Sequence, residues 1–174
     1  MALDHHLWQR NWSFHIHLRG NAAGDRDGRA QLSGVSAREC YDRAISTRTD
    51  SPDPFYRRAL CQLKLGDYAA AIHDLQHVFA KDSRYDYDRA AGLLADALAK
   101  SGQTEAAGAM FERVIQTSTL SETLVNYAEF LKSQGKLAEG REWAQRVLTR
   151  KKTLPGYLKR RERLWFRKAA ALAK

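Results

Sequence analysis

Leu65-Gly66-Asp67-Tyr68, Ser101-Gly102-Gln103-Thr104 and Gln134-Gly135-Lys136-Leu137 recur at intervals of 36 and 33 residues. Each lies between two segments with helical apolar spacing. A glycine suits the position just past a helix end, where φ is often positive. A period in the mid-thirties with such a turn between paired helices predicts a stacked array of helical hairpins. The question of function therefore moves from catalysis to binding.

Outward from the first turn, Phe55, Ala59 and Leu63, with Leu60 beside them, share one helix face, and Ala71, Leu75, Val78 and Phe79 share the next. The second unit repeats this with Ala91, Leu94, Ala95 and Leu98, then Ala107, Phe111, Val114 and Ile115. The third reads Leu124, Tyr127, Ala128 and Leu131, then Gly140, Ala144, Val147 and Leu148. Small residues hold matching places at Ala59, Ala95 and Ala128 and at Ala71, Ala107 and Gly140. At those places two helices are expected to cross closely. Ala37, Tyr41, Ala44 and Ile45 stand 34 residues before Ala71, Leu75, Val78 and Phe79, so a half-unit is expected over residues 36–47. Asp53-Pro54 reads as an N-cap followed by a first-turn proline, and Thr119-Leu120-Ser121-Glu122 as a capping box.

The order Ala59…Gly66…Ala71…Leu75…Val78 resembles the tetratricopeptide repeat family and is similar to the repeat region of small bacterial members. The family's closing Pro is replaced by Ser83, Ser118 and Lys152, and its early Trp by Phe55, Ala91 and Leu124. The resemblance implies an all-α, right-handed helical-hairpin solenoid of about three repeats, with the half-repeat before them and a capping helix after. Residues 1–34 are expected to be poorly ordered, 35–152 to form the repeats, and 153–174 a basic amphipathic capping helix. It also implies that a protein or peptide binds the groove lined by the first helix of each unit. By register the groove residues are Tyr56, Leu60, Leu63 and Lys64, then Arg89, Asp96 and Lys100, then Glu122, Glu129 and Lys132. Some members grip a chaperone's terminal carboxylate with Lys, Asn and Arg. Tyr56, Leu60, Leu93, Glu122 and Asn126 occupy those places here, so no such clamp is expected.

The chain carries a formal net charge of +9, unevenly placed. Residues 31–140 hold thirteen basic and fifteen acidic side chains, whereas residues 141–174 hold twelve basic and two acidic. A nucleic-acid surface covering the whole domain is disfavoured, and a local basic end needs explaining. Lys159, Arg160, Arg163 and Arg167 form its patch, with Arg160, Arg163 and Arg167 on one helical face and Leu158, Trp165 and Leu172 on another. It fits a plain cap with its polar face outward, or a module docking on anionic membrane or nucleic acid.

No stretch approaches ~18 consecutive apolar residues, and Met1–His6 does not read as a secretory signal. Cys40 and Cys61 lack metal-ligand spacing and read as two buried thiols. A cytoplasmic setting is expected, with the cytoplasmic face of the membrane open to the basic end. Trp12, Phe14, Ile16 and Leu18 alternate with polar residues in strand-like spacing, ahead of a Gly- and Asp-rich stretch. They read as a loose segment or as an extended peptide lying in a groove.

His73 and His77 sit four apart with Asp74 between them, near the spacing of a helical zinc site. Asp is short for the base of such a site, and no third ligand follows. Two solvated histidines are expected, with no cofactor, no metal, no small-molecule substrate and no catalytic constellation.

Overall fold

The computed structural model describes residues 38–46 and 50–174, and the expectations for residues 1–34 lie outside them. Residues 38–46 are helical (α1). Eight further helices follow: α2 (Asp53–Leu65), α3 (Tyr68–Lys81), α4 (Arg89–Lys100), α5 (Thr104–Val114), α6 (Ser121–Ser133), α7 (Leu137–Thr153), α8 (Gly156–Arg161) and α9 (Arg163–Leu172). Helices α2–α3, α4–α5 and α6–α7 pack as three successive hairpins.

The three turns are built alike. Gly66, Gly102 and Gly135 have φ of 78°, 82° and 78°. In the first turn the Gly66 amide donates to the Leu63 carbonyl at 3.3 Å and the Asp67 amide to the Gln62 carbonyl at 2.9 Å. Gly102 with Gln103, and Gly135 with Lys136, repeat both bonds at 2.9–3.1 Å. This paired pattern satisfies the last carbonyls of a helix and depends on the left-handed residue. The unequal intervals have a simple source: α3 has 14 residues and α5 has 11.

The expected small-residue crossings are all closed. Ala59, Ala71, Ala95, Ala107 and Ala128 are fully buried, and a Cβ on Gly140 would stand 3.0 Å from the Ala128 carbonyl oxygen. Sequence spacing missed a tighter place. A Cβ on Gly92 of α4 would lie 2.5 Å from the Thr123 Oγ1 of α6, so these two helices meet without a side chain between them.

The core runs the length of the stack. Tyr56, Leu75, Val78 and Leu94 fill its first part. Phe111, Tyr127 and Leu131 fill the middle, where Phe111 meets the rings of Tyr127 and Phe130 at 5.4 and 5.3 Å. In the last part Phe166 and Ala169 of α9 join Val125, Ala144 and Val147. α9 thus covers the apolar face of the final hairpin, as an array's end requires.

Several local expectations are corrected. α2 begins at Asp53, with Pro52 flanking it and Pro54 in its first turn, but the Asp53 carboxylate does not cap. It accepts from Arg57 Nε at 2.7 Å and from the Tyr85 hydroxyl at 3.0 Å instead. The Thr119–Glu122 box does not form: α6 starts without a side-chain cap, and Glu122 is drawn to Arg89. The C-terminal segment is two helices, broken at Glu162, rather than one. Cys40 is exposed and only Cys61 is partly buried.

Within α1, Tyr41, Ala44 and Ile45 are half-buried. Arg58 of α2 ties this helix to the array, donating to Asp42 at 2.8 Å and to both carboxylate oxygens of Asp74 at 2.6 and 2.7 Å. The connection from α3 to α4 holds three successive residues with positive φ, Asp86 (52°), Tyr87 (56°) and Asp88 (66°). Asp tolerates this region better than most residues. The Asp86 carboxylate accepts from the Tyr56 hydroxyl at 2.6 Å, which anchors the turn.

Candidate partner-binding surfaces

Helix α2 meets α4 through Tyr56 and Arg89, and α4 packs against α6 and α6 against α9 in one row. The groove residues named from register all lie on the first three of these helices. Tyr56 is a correction, because it is 1% exposed and offers a partner no surface. Its ring packs edge-on against Tyr85 at 5.1 Å, and its hydroxyl donates to Asp86. Leu60 and Leu63 are half-buried against the first part of the core. Lys64, Lys100 and Lys132 are exposed near the ends of their helices, where a cation complements the helix dipole.

Most of the other groove charges pair with each other. Arg89 Nε donates to Glu122 at 2.6 Å, and its Nη1 reaches the Tyr56 hydroxyl at 3.3 Å. Lys100 meets the buried Asp96 at 2.7 Å, and Glu129 meets Lys168 of α9 at 3.2 Å. Arg89–Glu122 crosses from one hairpin to the next and Glu129–Lys168 from the last hairpin to α9, stitching the row together, whereas Lys100–Asp96 lies within α4. Sequence reasoning could have found Arg89–Glu122, since 33 residues is the repeat distance. It had no signal for Tyr56–Asp86, where the carboxylate comes from an aperiodic turn.

Burial pushes the Tyr56 phenol well above its ordinary 10.0, with the Asp86 hydrogen bond adding and Arg89 opposing. The folded chain therefore holds this proton after the unfolded chain has released it. Stability from this group is complete below pH ~10 and falls above it, by about 1.4 kcal/mol per pH unit. Urea unfolding between pH 9 and 11.5 should show that decline, and Tyr56→Phe should make it shallower by that amount.

The basic end is arranged differently. Arg160, Arg163 and Arg167 are exposed, and Lys159 is half-buried with its ammonium on the Lys152 carbonyl at 3.2 Å. Leu158, Trp165 and Leu172 face inward but only partly. The largest buried side chain of α9 is Phe166, at 3% exposed, while Leu164 is 52% exposed. Sequence spacing had set Trp165 in that place. Among the described residues Arg160, Arg161, Arg163 and Arg167 have no acidic partner; the neighbouring Glu162 instead accepts from the Ser121 hydroxyl at 2.5 Å.

The two histidines point to no shared centre. His77 stacks on Phe55 at 4.0 Å, and the Asp74 carboxylate beside His73 is taken by Arg58. Among the described residues no three of His, Cys, Asp and Glu gather as a metal site would need. No helix among them is long and apolar enough to cross a membrane.

A family model described as tetratricopeptide repeat matches residues 62–122, from the last turn of α2 to the start of α6. No curated protein matches the chain. Repeats of this family generally mediate contacts between proteins and carry no catalysis of their own. Residues 62–122 match the tetratricopeptide repeat model, and the three hairpins share one turn geometry and close at corresponding small residues, as repeats of that type do.

Proposed function

We propose that the chain is a non-catalytic scaffold that holds a protein or peptide along the row of α2, α4 and α6. The repetition carries this reading: three hairpins alike in turn and contact make a continuous face of the kind this family uses to bind proteins. On that face Leu60 and Leu63 supply half-buried apolar area, and Lys64 and Lys132 are exposed cations that meet no carboxylate among the described residues. Arg89, Glu122, Asp96 and Glu129 shape the floor rather than meet the partner, because each is already paired.

The test is selection of displayed random peptides on the full chain. Peptides bound on this row should lose at least about tenfold in affinity for a Lys64→Glu, Lys132→Glu variant, since reversing two exposed charges against an acidic ligand is worth well over 1 kcal/mol. They should bind an Arg160→Gln, Arg163→Gln, Arg167→Gln variant as well as the parent. Peptides that ignore the first variant and are lost by the second would move the site to the basic end.

A further inference from the structure

We propose that the outer face of α8 and α9 is a second, separate site that docks the chain on an anionic phospholipid surface. Exposed side chains recur along it as Tyr157, Arg160, Arg161, Leu164 and Arg167, with Arg163 at its edge. The Glu162 amide closes the last turn of α8 on the Leu158 carbonyl at 2.9 Å, and the Phe166 amide opens α9 on the Glu162 carbonyl at 3.2 Å. Tyr157, Arg160 and Arg161 share one side of α8 at helical spacing, and Leu164 and Arg167 share one side of α9. The opposite side is anchored by Phe166 and Ala169 in the core, so the face is rigidly presented.

Charge gives the first argument for the occupant. Elsewhere in the stack Arg89, Lys100 and Lys168 each meet a carboxylate. Among the described residues, the four arginines within eight residues of this face meet none. Solubility needs no such local excess, and an anionic surface satisfies it.

The apolar residues choose among anionic surfaces. Leu164 is 52% and Tyr157 65% exposed, both among the arginines. A bilayer takes both kinds of group at once, guanidinium at the phosphates and Leu or Tyr at the boundary between headgroup and acyl chain. A nucleic-acid strand has no use for Leu164 and calls for successive stacking rings. Trp165 cannot serve as one, being half-buried with the Lys168 ammonium 5.0 Å from its ring centre.

The test uses the full chain and sedimentation with phosphatidylcholine vesicles, with and without phosphatidylglycerol. Binding is expected to the anionic vesicles alone and to be lost at about 1 M salt. Arg160→Gln, Arg163→Gln, Arg167→Gln should reduce partition roughly 100-fold. Leu164→Ala, with every charge kept, should reduce it roughly fivefold. All four side chains point outward, so circular dichroism should be unchanged. Failure to bind anionic vesicles, or binding indifferent to the arginines, overturns the proposal. So does tighter binding to single-stranded RNA together with no effect of Leu164→Ala, which would assign the face to nucleic acid.

Discussion

Arg58→Ala is expected to destabilise the chain by about 3–5 kcal/mol, a large share of what a domain this size has to lose. The reason lies in Asp74, whose side chain is 1% exposed and receives both of its strong bonds from one guanidinium. With Arg58 gone, what remains within reach is the His73 ring, 3.6 Å away and 81% exposed. A buried carboxylate left in that state must find water or a proton, and either disturbs the α2–α3 hairpin. Removing both partners should be milder than removing one, because no charge is then stranded. Arg58→Ala, Asp74→Ala should thus recover part of the loss in urea unfolding. A single-mutant loss below about 1 kcal/mol would rank the pair with ordinary surface bridges instead.

Phe111→Ala should cost about the same, about 3–5 kcal/mol, by a different route. Phe111 is fully buried where the second hairpin meets the third. Its ring lies against Tyr127 and Phe130, and Phe130 also reaches over Gly108, 3.7 Å from where a Cβ would stand. The backbone there cannot close over a lost ring without carrying these aromatics along. Stacked repeats touch only their neighbours, so the damage should concentrate at this one interface. Hydrogen exchange should show α6, α7 and α9 opening before α2 to α4, where the parent opens more nearly as one. Uniform loss of protection along the chain would contradict a stack of separable units.

What the sequence disclosed and what it hid follow one rule. Features set by a residue's own spacing were legible: the turn glycines, the small residues at the crossings, and the helices between them. Features set by a partner from another element were not. Tyr56 stands at a groove register and has a polar tip, so it reads as surface. Only the left-handed turn at Asp86 shows why it is buried. Glu122 has the spacing of a capping residue, but Arg89 outcompetes the helix end for its carboxylate. Trp165 and Phe166 are neighbours, and the bend at Glu162 decides which of them enters the core. Gly92 gave no signal because its meaning lies in Thr123, 31 positions further on.

The cross-linking of charges has a consequence for how such a chain can change. Arg89 belongs to one hairpin and its Glu122 to the next, while Glu129 depends on Lys168 of the closing helix. The units look interchangeable in outline, but each holds half of a pair completed elsewhere. Deleting one unit, duplicating it, or exchanging it for an idealised copy would leave orphaned ions on both sides of the splice. This array is better compared to a keyed mechanism than to beads on a string: its parts share a shape, and their order is fixed.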